Sequence, residues 1–349
     1  MKFAHTQDQL DLRDGAREYL RGRCTVEQLR DLKDNNNAEL GIWSELAEQG
    51  LLAYLVSEER GGLAMDQVGF ALIAEEAGYV ALPEPFVDVA GVCAPALEGL
   101  NGTASDIVEN LVAGGQRVRS LHSANPYLNQ LAQGDQLLLT GADSVRLLAP
   151  DGYQSKAVES IDPLRRLHVI TVEPDVGSEL LHGADAAEFA ESMFNHGALF
   201  TAAELLGITA AMIDMATAYA KERKQFGNVI GSYQAVKHHL ASAFVALEFA
   251  RPVVYRASAE LAAQSDKATL SIAHAKVAAG NAAINAAEVA IQIYGGMGYT
   301  FEVDLHLWMK RAWALVGQWG SSHHHMNKIE SGIFSDTAIG PAQTFAQNN

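Results

Sequence analysis

The sequence predicts a mainly α-helical protein with a small β-domain in the middle of the chain. Apolar residues recur three and four positions apart over most of residues 1–115 and again from residue 192 onward. Between these regions, short apolar runs alternate with glycine, aspartate and proline, which is typical of β-strands. We therefore divide the chain into an N-terminal helical domain (1–115), a β-domain (116–191), a C-terminal four-helix domain (192–332) and a tail (333–349).

The N-terminal domain contains a helical pattern from Leu40 to Leu51, where apolar residues mark one face. Two glycines after a charged run predict a turn at residues 58–62. A second strong helix is predicted at residues 67–79, and a further one at residues 106–113. Prolines interrupt the segment between these two helices.

The middle domain contains three short apolar runs that predict strands, at residues 136–140, 144–149 and 167–172. After it, long helices are predicted at residues 203–224, 235–264, 266–294 and 303–330. Pro252 should kink the second of these helices or mark a break in it. The third carries a stripe of small and apolar residues that permits close helix packing: Ile272, Ala279, Ala283, Ala286, Ala290 and Ile293.

Composition excludes several classes of function. The 25 basic and 42 acidic residues give a net charge of −17, which argues against a nucleic-acid or anionic-membrane surface. Cys24 and Cys93 lie far apart without metal-ligand spacing, so neither a disulfide framework nor a zinc site is expected. The N-terminus lacks the pattern of a signal peptide, and no apolar run reaches the roughly 18 residues of a membrane span. We therefore expect a cytoplasmic protein.

Three segments of the C-terminal domain contain candidate binding residues. Residues 292–300 read Gln-Ile-Tyr-Gly-Gly-Met-Gly-Tyr-Thr, and glycine allows positive φ and close approach of backbone to a ligand. Residues 223–227, Arg-Lys-Gln-Phe-Gly, end an earlier helix, and residues 232–238, Ser-Tyr-Gln-Ala-Val-Lys-His, open the next. Taken alone, the glycine run is equally well explained as a helix C-cap followed by a turn. A basic patch suited to an anionic cofactor could form from Lys221, Arg223, Lys224, Lys310 and Arg311.

In this order and spacing, the three segments resemble the C-terminal helical domain of the acyl-CoA dehydrogenase family of flavoenzymes. The resemblance implies the acyl-CoA dehydrogenase fold, an acyl-CoA substrate and FAD as cofactor. It assigns Arg223 and Gln225 to the FAD pyrophosphate of a neighbouring subunit, and a guanidinium suits a diphosphate because its donors match paired oxygens. Phe226 would then form an aromatic wall beside the cofactor. The other cofactor positions that the resemblance assigns are Tyr233, Gln234, Gln292, Gly295 and Gly296.

Residues 300–312 resemble the corresponding segment of the acyl-CoA dehydrogenases that degrade steroid side chains in actinobacteria. His306 in this stretch is assigned no catalytic role. The three histidines at residues 323–325 do not predict a metal site, because consecutive helical residues point in different directions.

The catalytic base is where this chain departs from the family. Dehydrogenation requires a carboxylate held dry beside the flavin to remove the α-proton of the thioester. The two positions at which branches of the family place this base correspond here to Trp319 and to Gly197, and neither residue can accept a proton. Glu204 is the nearest carboxylate, although Thr201 and Glu204 have the spacing of a helix capping box, which we favour. No catalytic residue is therefore assigned.

The middle domain also lacks the strands that hold the flavin ring in active members of the family, so the β-domain is reduced. The chain thus keeps the residues assigned to the trans side of the cofactor site but lacks the base and the strands assigned to the cis side. This asymmetry resembles the non-catalytic partner in α₂β₂ acyl-CoA dehydrogenases. Three hypotheses remain open. The chain contributes the trans half of an FAD site shared with a second subunit, it is a self-sufficient homo-oligomer with Glu204 as displaced base, or it is a helical scaffold without flavin.

Overall fold

The structure is a computed structural model that describes residues 4–35, 40–100, 103–174 and 176–334. Residues 335–349 of the predicted tail lie outside the described residues. The α-helices are α1 Gln7–Arg23, α2 Val26–Asp34, α3 Trp43–Glu48, α4 Gln67–Tyr79, α5 Ala94–Glu98, α6 Thr103–Val112, α7 Ala184–Glu222, α8 Gln234–Ala262, α9 Ala268–Tyr294, α10 Leu305–Gly317 and α11 Ser322–Ile333. The strands are β1 Val118–His122, β2 Tyr127–Asn129, β3 Gln136–Thr140, β4 Ser144–Leu148, β5 Gln154–Val158, β6 Leu167–Thr171, β7 Ser178–His182, β8 Lys224–Gln225 and β9 Asn228–Val229.

Helix α4 forms the centre of the N-terminal domain and packs against α1 and α7. The ring of Phe70 on α4 lies 5.4 Å from that of Phe86 and 4.6 Å from that of Phe200 on α7, so aromatic contacts join the two domains. Gly78 permits the helices to approach closely, because a Cβ there would lie 2.0 Å from the carbonyl oxygen of Glu204. The predicted helix at residues 67–79 is confirmed.

Two small sheets form the β-domain. One has the strand order β1-β3-β4-β7, with β1 and β3 parallel, and the other has the antiparallel order β2-β6-β5. The three predicted strands are present as β3, β4 and β6. Arg119 on β1 ties this domain to the N-terminal domain, because its buried guanidinium lies 2.7 Å from the carboxylate of Asp88, in the π-helix Val87–Cys93.

The long helix α7 begins at Ala184 rather than at Ala203, and it therefore starts inside the segment that the sequence assigned to the β-domain. The capping-box interpretation of Glu204 is wrong. Thr201 lies buried in the middle of α7, and its hydroxyl Oγ1 has no hydrogen-bond partner in the described structure. The helix extends further because Met193 and Phe194 continue its buried face toward the N-terminus.

By length and composition, α7 is also apolar enough to cross a membrane, which the sequence analysis had not anticipated. However, 78% of its most apolar window is buried inside the protein. It packs against α4, α8, α9 and α10, as the central helix of a bundle does.

The remaining bundle helices depart from the prediction in two respects. Helix α8 runs continuously through Pro252, so the break that was one of the two outcomes predicted there does not occur. All six residues of the predicted stripe on α9 are buried, as expected. The single helix predicted at residues 303–330 is wrong, since α10 ends at Gly317 and α11 begins at Ser322. Between them Trp319 has φ +54° and Gly320 has φ +96°, left-handed conformations that end an α-helix.

Candidate functional site

Three helix termini meet at one end of the C-terminal bundle. The rings of Tyr219 on α7 and Tyr294 on α9 stack 4.2 Å apart, and the Tyr294 hydroxyl donates to the carbonyl oxygen of Met215. These contacts bring the C-terminus of α7, at Arg223, to the same end as Gly295, which caps α9. Since α8 begins after a short hairpin from α7, its N-terminus lies there too. All three predicted cofactor-binding segments are therefore at one end of the bundle.

The hairpin β8–β9 presents the first of these segments. Phe226 and Gly227 at its tip have φ values of +51° and +84°, as a tight two-residue turn requires. The Phe226 side chain is 91% exposed. The hydroxyl of Tyr233, which precedes α8, donates to the carbonyl oxygen of Gln225 at 3.0 Å and fixes the hairpin against the helix. Tyr233 is therefore a support for the hairpin.

The polar groups at this end are exposed and available to a ligand. Arg223 and Gln225 are exposed, and no carboxylate of the described residues lies within ion-pair distance of the Arg223 guanidinium. The first turn of α8 contains no acidic residue, and no side chain in the described part of the chain caps its backbone N–H groups. A helix N-terminus with free N–H groups favours an anion. These donors match what a diphosphate needs.

The glycine segment on α9 is equally open. A Cβ added at Gly295 or Gly296 would meet no atom within 4 Å, so neither glycine is required by internal packing. Gly295 has φ +61° and its N–H bonds back to Gln292, so it also serves as the helix C-cap. The side chains of Gln292 and Gln234 are exposed. The predicted basic patch is smaller than expected, because Arg311 is buried and bonded to Asp162.

Trp319 and Gly197 are the two positions that the resemblance assigns to the family's catalytic base, and they lie in contact between the β-domain and the bundle. Trp319 is 1% exposed, and its ring lies so close to Gly197 on α7 that a Cβ there would be 2.2 Å from the indole. A side chain at residue 197 is therefore incompatible with Trp319 in this position. The indole occupies the space between the two positions, and neither offers a carboxylate.

Several hydrogen bonds hold the turn that carries Trp319. The backbone N–H of Trp319 donates to the carbonyl oxygen of Ala124 at 3.1 Å, and the backbone carbonyl oxygen of Trp319 lies 2.9 Å from His325 Nε2. Burial lowers the pKa of His325 to about 4, so the ring is neutral and donates through Nε2. The Lys276 ammonium donates to the carbonyl oxygen of Val316 at 2.8 Å, at the C-terminus of α10.

Glu204 lines a different, very small cavity of about 30 Å³ together with Asp88, Arg165, Arg311 and Trp319. Burial raises the pKa of Glu204 to about 7, against the opposing effect of the positive charges on Arg311 and Arg165. That pKa suits a general base at neutral pH. A cavity of this volume accommodates about one water molecule, so it has no room for a thioester.

Sequence reasoning missed two features of the site. It did not anticipate that Trp319 and Gly197 touch, because they are far apart in the chain and no pattern links them. It also missed the buried pair Arg311–Asp162 and the neighbouring Arg165, which join the β-domain to α10. Among the described residues, no group of histidine, cysteine and carboxylate side chains could hold a metal ion. Of the three consecutive histidines, His325 is buried whereas His323 and His324 are exposed.

Comparison with known proteins agrees with this architecture. Residues 6–104 match the acyl-CoA dehydrogenase N-terminal domain and residues 187–334 the acyl-CoA dehydrogenase C-terminal domain. Acyl-CoA dehydrogenase IpdE2 of Mycobacterium tuberculosis is 30% identical over 301 residues, which are 84% of this chain and 86% of that protein.

Two solved structures share the fold. The ChsE4–ChsE5 complex from Mycobacterium tuberculosis has a TM-score of 0.81 at 20% identity, covering 95% of this chain and 99% of that one. A variant of the Tcur3481–Tcur3483 steroid acyl-CoA dehydrogenase has a TM-score of 0.82 at 20% identity, covering 93% and 97%. The chain belongs to the acyl-CoA dehydrogenase family, oxidoreductases that act on the CH–CH bond of acyl-CoA thioesters.

Proposed function

We propose that this chain is the non-catalytic subunit of a hetero-oligomeric, FAD-dependent acyl-CoA dehydrogenase and supplies the trans half of its FAD site. The observation that carries the proposal is the contact between Trp319 and Gly197. It fills both positions that the family resemblance assigns to the base with groups that cannot take a proton. A partner subunit must therefore supply the base.

The open end of the bundle is where this chain would hold the cofactor. Bound FAD supplies the acceptor for the hydride that leaves the β-carbon of the thioester. Arg223 and Gln225 would donate hydrogen bonds to its diphosphate, and the free N–H groups of α8 would favour the same negative charge. The backbone of Gly295 and Gly296, with Gln292 beside it, would accommodate the adenosine half. Phe226 would then lie against the partner and the cofactor.

Exposed apolar residues support association with a second subunit. Phe244, Val245 and Phe249 on α8 are 50%, 49% and 74% exposed. Val245 and Phe249 are four residues apart and lie on one face of the helix, with Phe244 beside them. Apolar surface of this kind marks protein–protein contacts. Because α8 starts at the hairpin, this face and Phe226 can engage one partner.

We assign the substrate to the acyl-CoA thioesters, with a steroid side chain as the acyl group. The support is the resemblance of residues 300–312 to steroid-degrading members and the similarity in fold to a steroid acyl-CoA dehydrogenase.

Both cysteines are free and buried. This fits a reducing cytoplasm.

A second candidate is a self-sufficient dehydrogenase with Glu204 as base. The observation in its favour is the pKa of Glu204, raised by burial to about 7. The cavity of about 30 Å³ around the carboxylate argues against it.

Co-expression with a genomically adjacent acyl-CoA dehydrogenase tests the proposal. The chain alone should bind little flavin, whereas the co-purified complex should be yellow and active. Arg223→Ala should lower the FAD content of the complex, and Arg60→Ala, a surface arginine of the N-terminal domain, serves as the control. Yellow, active protein purified from this chain alone would refute the proposal, and normal flavin content in the Arg223→Ala complex would refute the assigned contact.

A further inference from the structure

Three imidazole rings surround Phe194 of α7 beside the turn that carries Trp319. The rings of His324 and His325, near the start of α11, have their centres 5.3 and 5.6 Å from that of Phe194. The ring of His122, at the end of β1, lies 6.2 Å from Phe194 and 5.3 Å from Trp319. We call His122, His324 and His325 the histidine cluster. It brings the end of β1 and the start of α11 together on α7.

His122 supports one of the two backbone hydrogen bonds that hold Trp319. The backbone N–H of Ala124 donates to Nδ1 of His122 at 2.9 Å, so Nδ1 carries a lone pair and the ring proton is on Nε2. The carbonyl oxygen of Ala124 in turn accepts the backbone N–H of Trp319 at 3.1 Å. A proton on Nδ1 would set two N–H groups against each other, so protonation of His122 disrupts the position of Ala124.

His325 supports the other backbone hydrogen bond, and its second ring nitrogen is buried. Nε2 donates to the carbonyl oxygen of Trp319 at 2.9 Å. Nδ1 has no hydrogen-bond partner among the described residues, and the residue has no exposed surface. Protonation of His325 would therefore create a buried N–H without an acceptor, which is costly. Both rings thus fit the closed arrangement in their neutral form.

The charged groups around the histidine cluster disfavour additional positive charge. Burial and, to a smaller extent, the ammonium of Lys328 on α11 lower the pKa of all three rings, and buried Lys276 on α9 acts in the same direction on the buried ring of α11. Glu191 on α7 is the carboxylate that opposes this effect, and it already pairs with Lys328 at 2.8 Å. The neighbouring residues 123–126 and 314–321 contain no charged side chain.

We propose that the histidine cluster is an acid-sensitive latch, which holds α11 and the Trp319 turn closed at neutral pH and releases them when the pH falls below about 6. Helix α11 packs against α9, so its release leaves the contacts among α7, α8 and α9 in place. Release would also separate Trp319 from Gly197 and undo the contact between them. The latch consists of this chain's own residues and requires neither flavin nor a partner subunit.

The size of the effect follows mainly from His325. Burial lowers its pKa from 6.5 to about 4 in the closed structure. The neutral ring therefore favours the closed state fully above pH 6.5, and this contribution is lost as the pH falls from 6.5 toward 4. From pH 7.5 to pH 5 the opening equilibrium should rise about 25-fold through this ring alone. His122, whose pKa burial also lowers, should add to the rise.

Amide hydrogen exchange of the purified full chain at pH 7.5 and pH 5, followed by mass spectrometry, tests the proposal. After division by the intrinsic exchange rate at each pH, exchange of α11 and of residues 318–321 should rise at least about 20-fold, whereas that of α4 should change less than about threefold. Unchanged exchange of α11 would overturn the proposal. An equal rise in α11 and α4 would also overturn it, because the whole protein would then respond rather than a latch.

Two substitutions remove the titration and keep the hydrogen bonds. In His122→Asn the side-chain oxygen can accept from Ala124, and in His325→Gln the side-chain amide can donate to Trp319. The double variant should show a rise of less than about threefold in α11. His323→Gln, which changes an exposed histidine of α11 outside the cluster, should keep the full rise. A full rise in the folded double variant would refute the assignment to these rings.

The imidazole resonances of the unmodified protein provide a second measurement that needs no variant. Nuclear magnetic resonance of histidine-labelled protein should show the rings of the histidine cluster titrating over the same pH range in which α11 opens. A folding defect in a variant therefore does not decide the outcome. Opening of α11 at a pH where these rings do not change protonation would contradict the latch.

Discussion

Replacing Trp319 with alanine should destabilise the protein strongly, because its indole fills the space beside Gly197. The side chain is 1% exposed and sits between α7 and the α10–α11 turn. A buried indole removes about 200 Å² from water, which at about 25 cal/mol per Å² amounts to about 5 kcal/mol. Partial collapse of the cavity lowers this figure, so we expect a loss of about 3–5 kcal/mol in the free energy of unfolding.

Urea denaturation followed by far-ultraviolet circular dichroism measures this loss. Trp313→Ala is the matched control, because Trp313 lies on α10 and is 41% exposed. Its loss should be about 1 kcal/mol or less. Trp319→Gly adds a second readout: φ at residue 319 is +54°, which glycine adopts without strain, and the variant keeps a cavity shaped for indole.

Added indole should therefore raise the stability of Trp319→Gly in proportion to its occupancy and leave Trp313→Gly unchanged. A loss below about 1 kcal/mol in Trp319→Ala would contradict the packing described, since it would mean that the indole does not fill this space. Catalytic activity appearing in the variant on its own would contradict the absence of a base.

Three further predictions follow from the same contacts. Gly197→Ala should cost about 1–3 kcal/mol, because its Cβ would lie 2.2 Å from the indole, and combination with Trp319→Ala should recover most of that loss in a double-mutant cycle. Burial raises the pKa of Glu204 from 4.5 to about 7, so its stabilising contribution is present below pH 4.5 and is lost as pH rises through 7. In urea unfolding, the free energy of unfolding of Glu204→Gln minus that of the unmodified protein should therefore grow by about 2–3 kcal/mol from pH 5 to pH 8. Activity of the complex should persist in this variant, because the proposed base belongs to the partner. Lys276→Met should lower stability by about 1–3 kcal/mol, since the carbonyl oxygen of Val316 loses its donor, and thermal unfolding against the surface variant Lys237→Met measures this.

The elements that could be predicted from sequence are those whose pattern is local. The helix Gln67–Tyr79 and the strand Gln136–Thr140 match their predicted bounds, because turn residues flank a clear apolar period. The start of α7 was misjudged because the Thr201–Glu204 spacing looks like a cap when its buried surroundings are unknown. The break at Trp319 was missed because left-handed φ at a tryptophan leaves no sequence signal.

In the candidate site, too, features set by local sequence patterns could be predicted and features set by tertiary packing could not. The positions of Arg223, Tyr233 and Gly295 at helix ends follow from local patterns, and their meeting at one end follows from the order of helices in the bundle. The contact of Trp319 with Gly197 and the hydrogen bond from Arg165 to Gln318 depend on tertiary packing between distant segments. Such contacts are decided by which elements pack together, and a single sequence does not contain that information.

The ratio of flavin to protein chains in the co-expressed complex tests the central claim most directly. Absorbance of the bound flavin, divided by the protein concentration, should give one FAD for each pair of unlike chains if, as proposed, this chain completes its partner's site and has none of its own. One FAD for every chain, or stoichiometric FAD on this chain without a partner, would contradict the account.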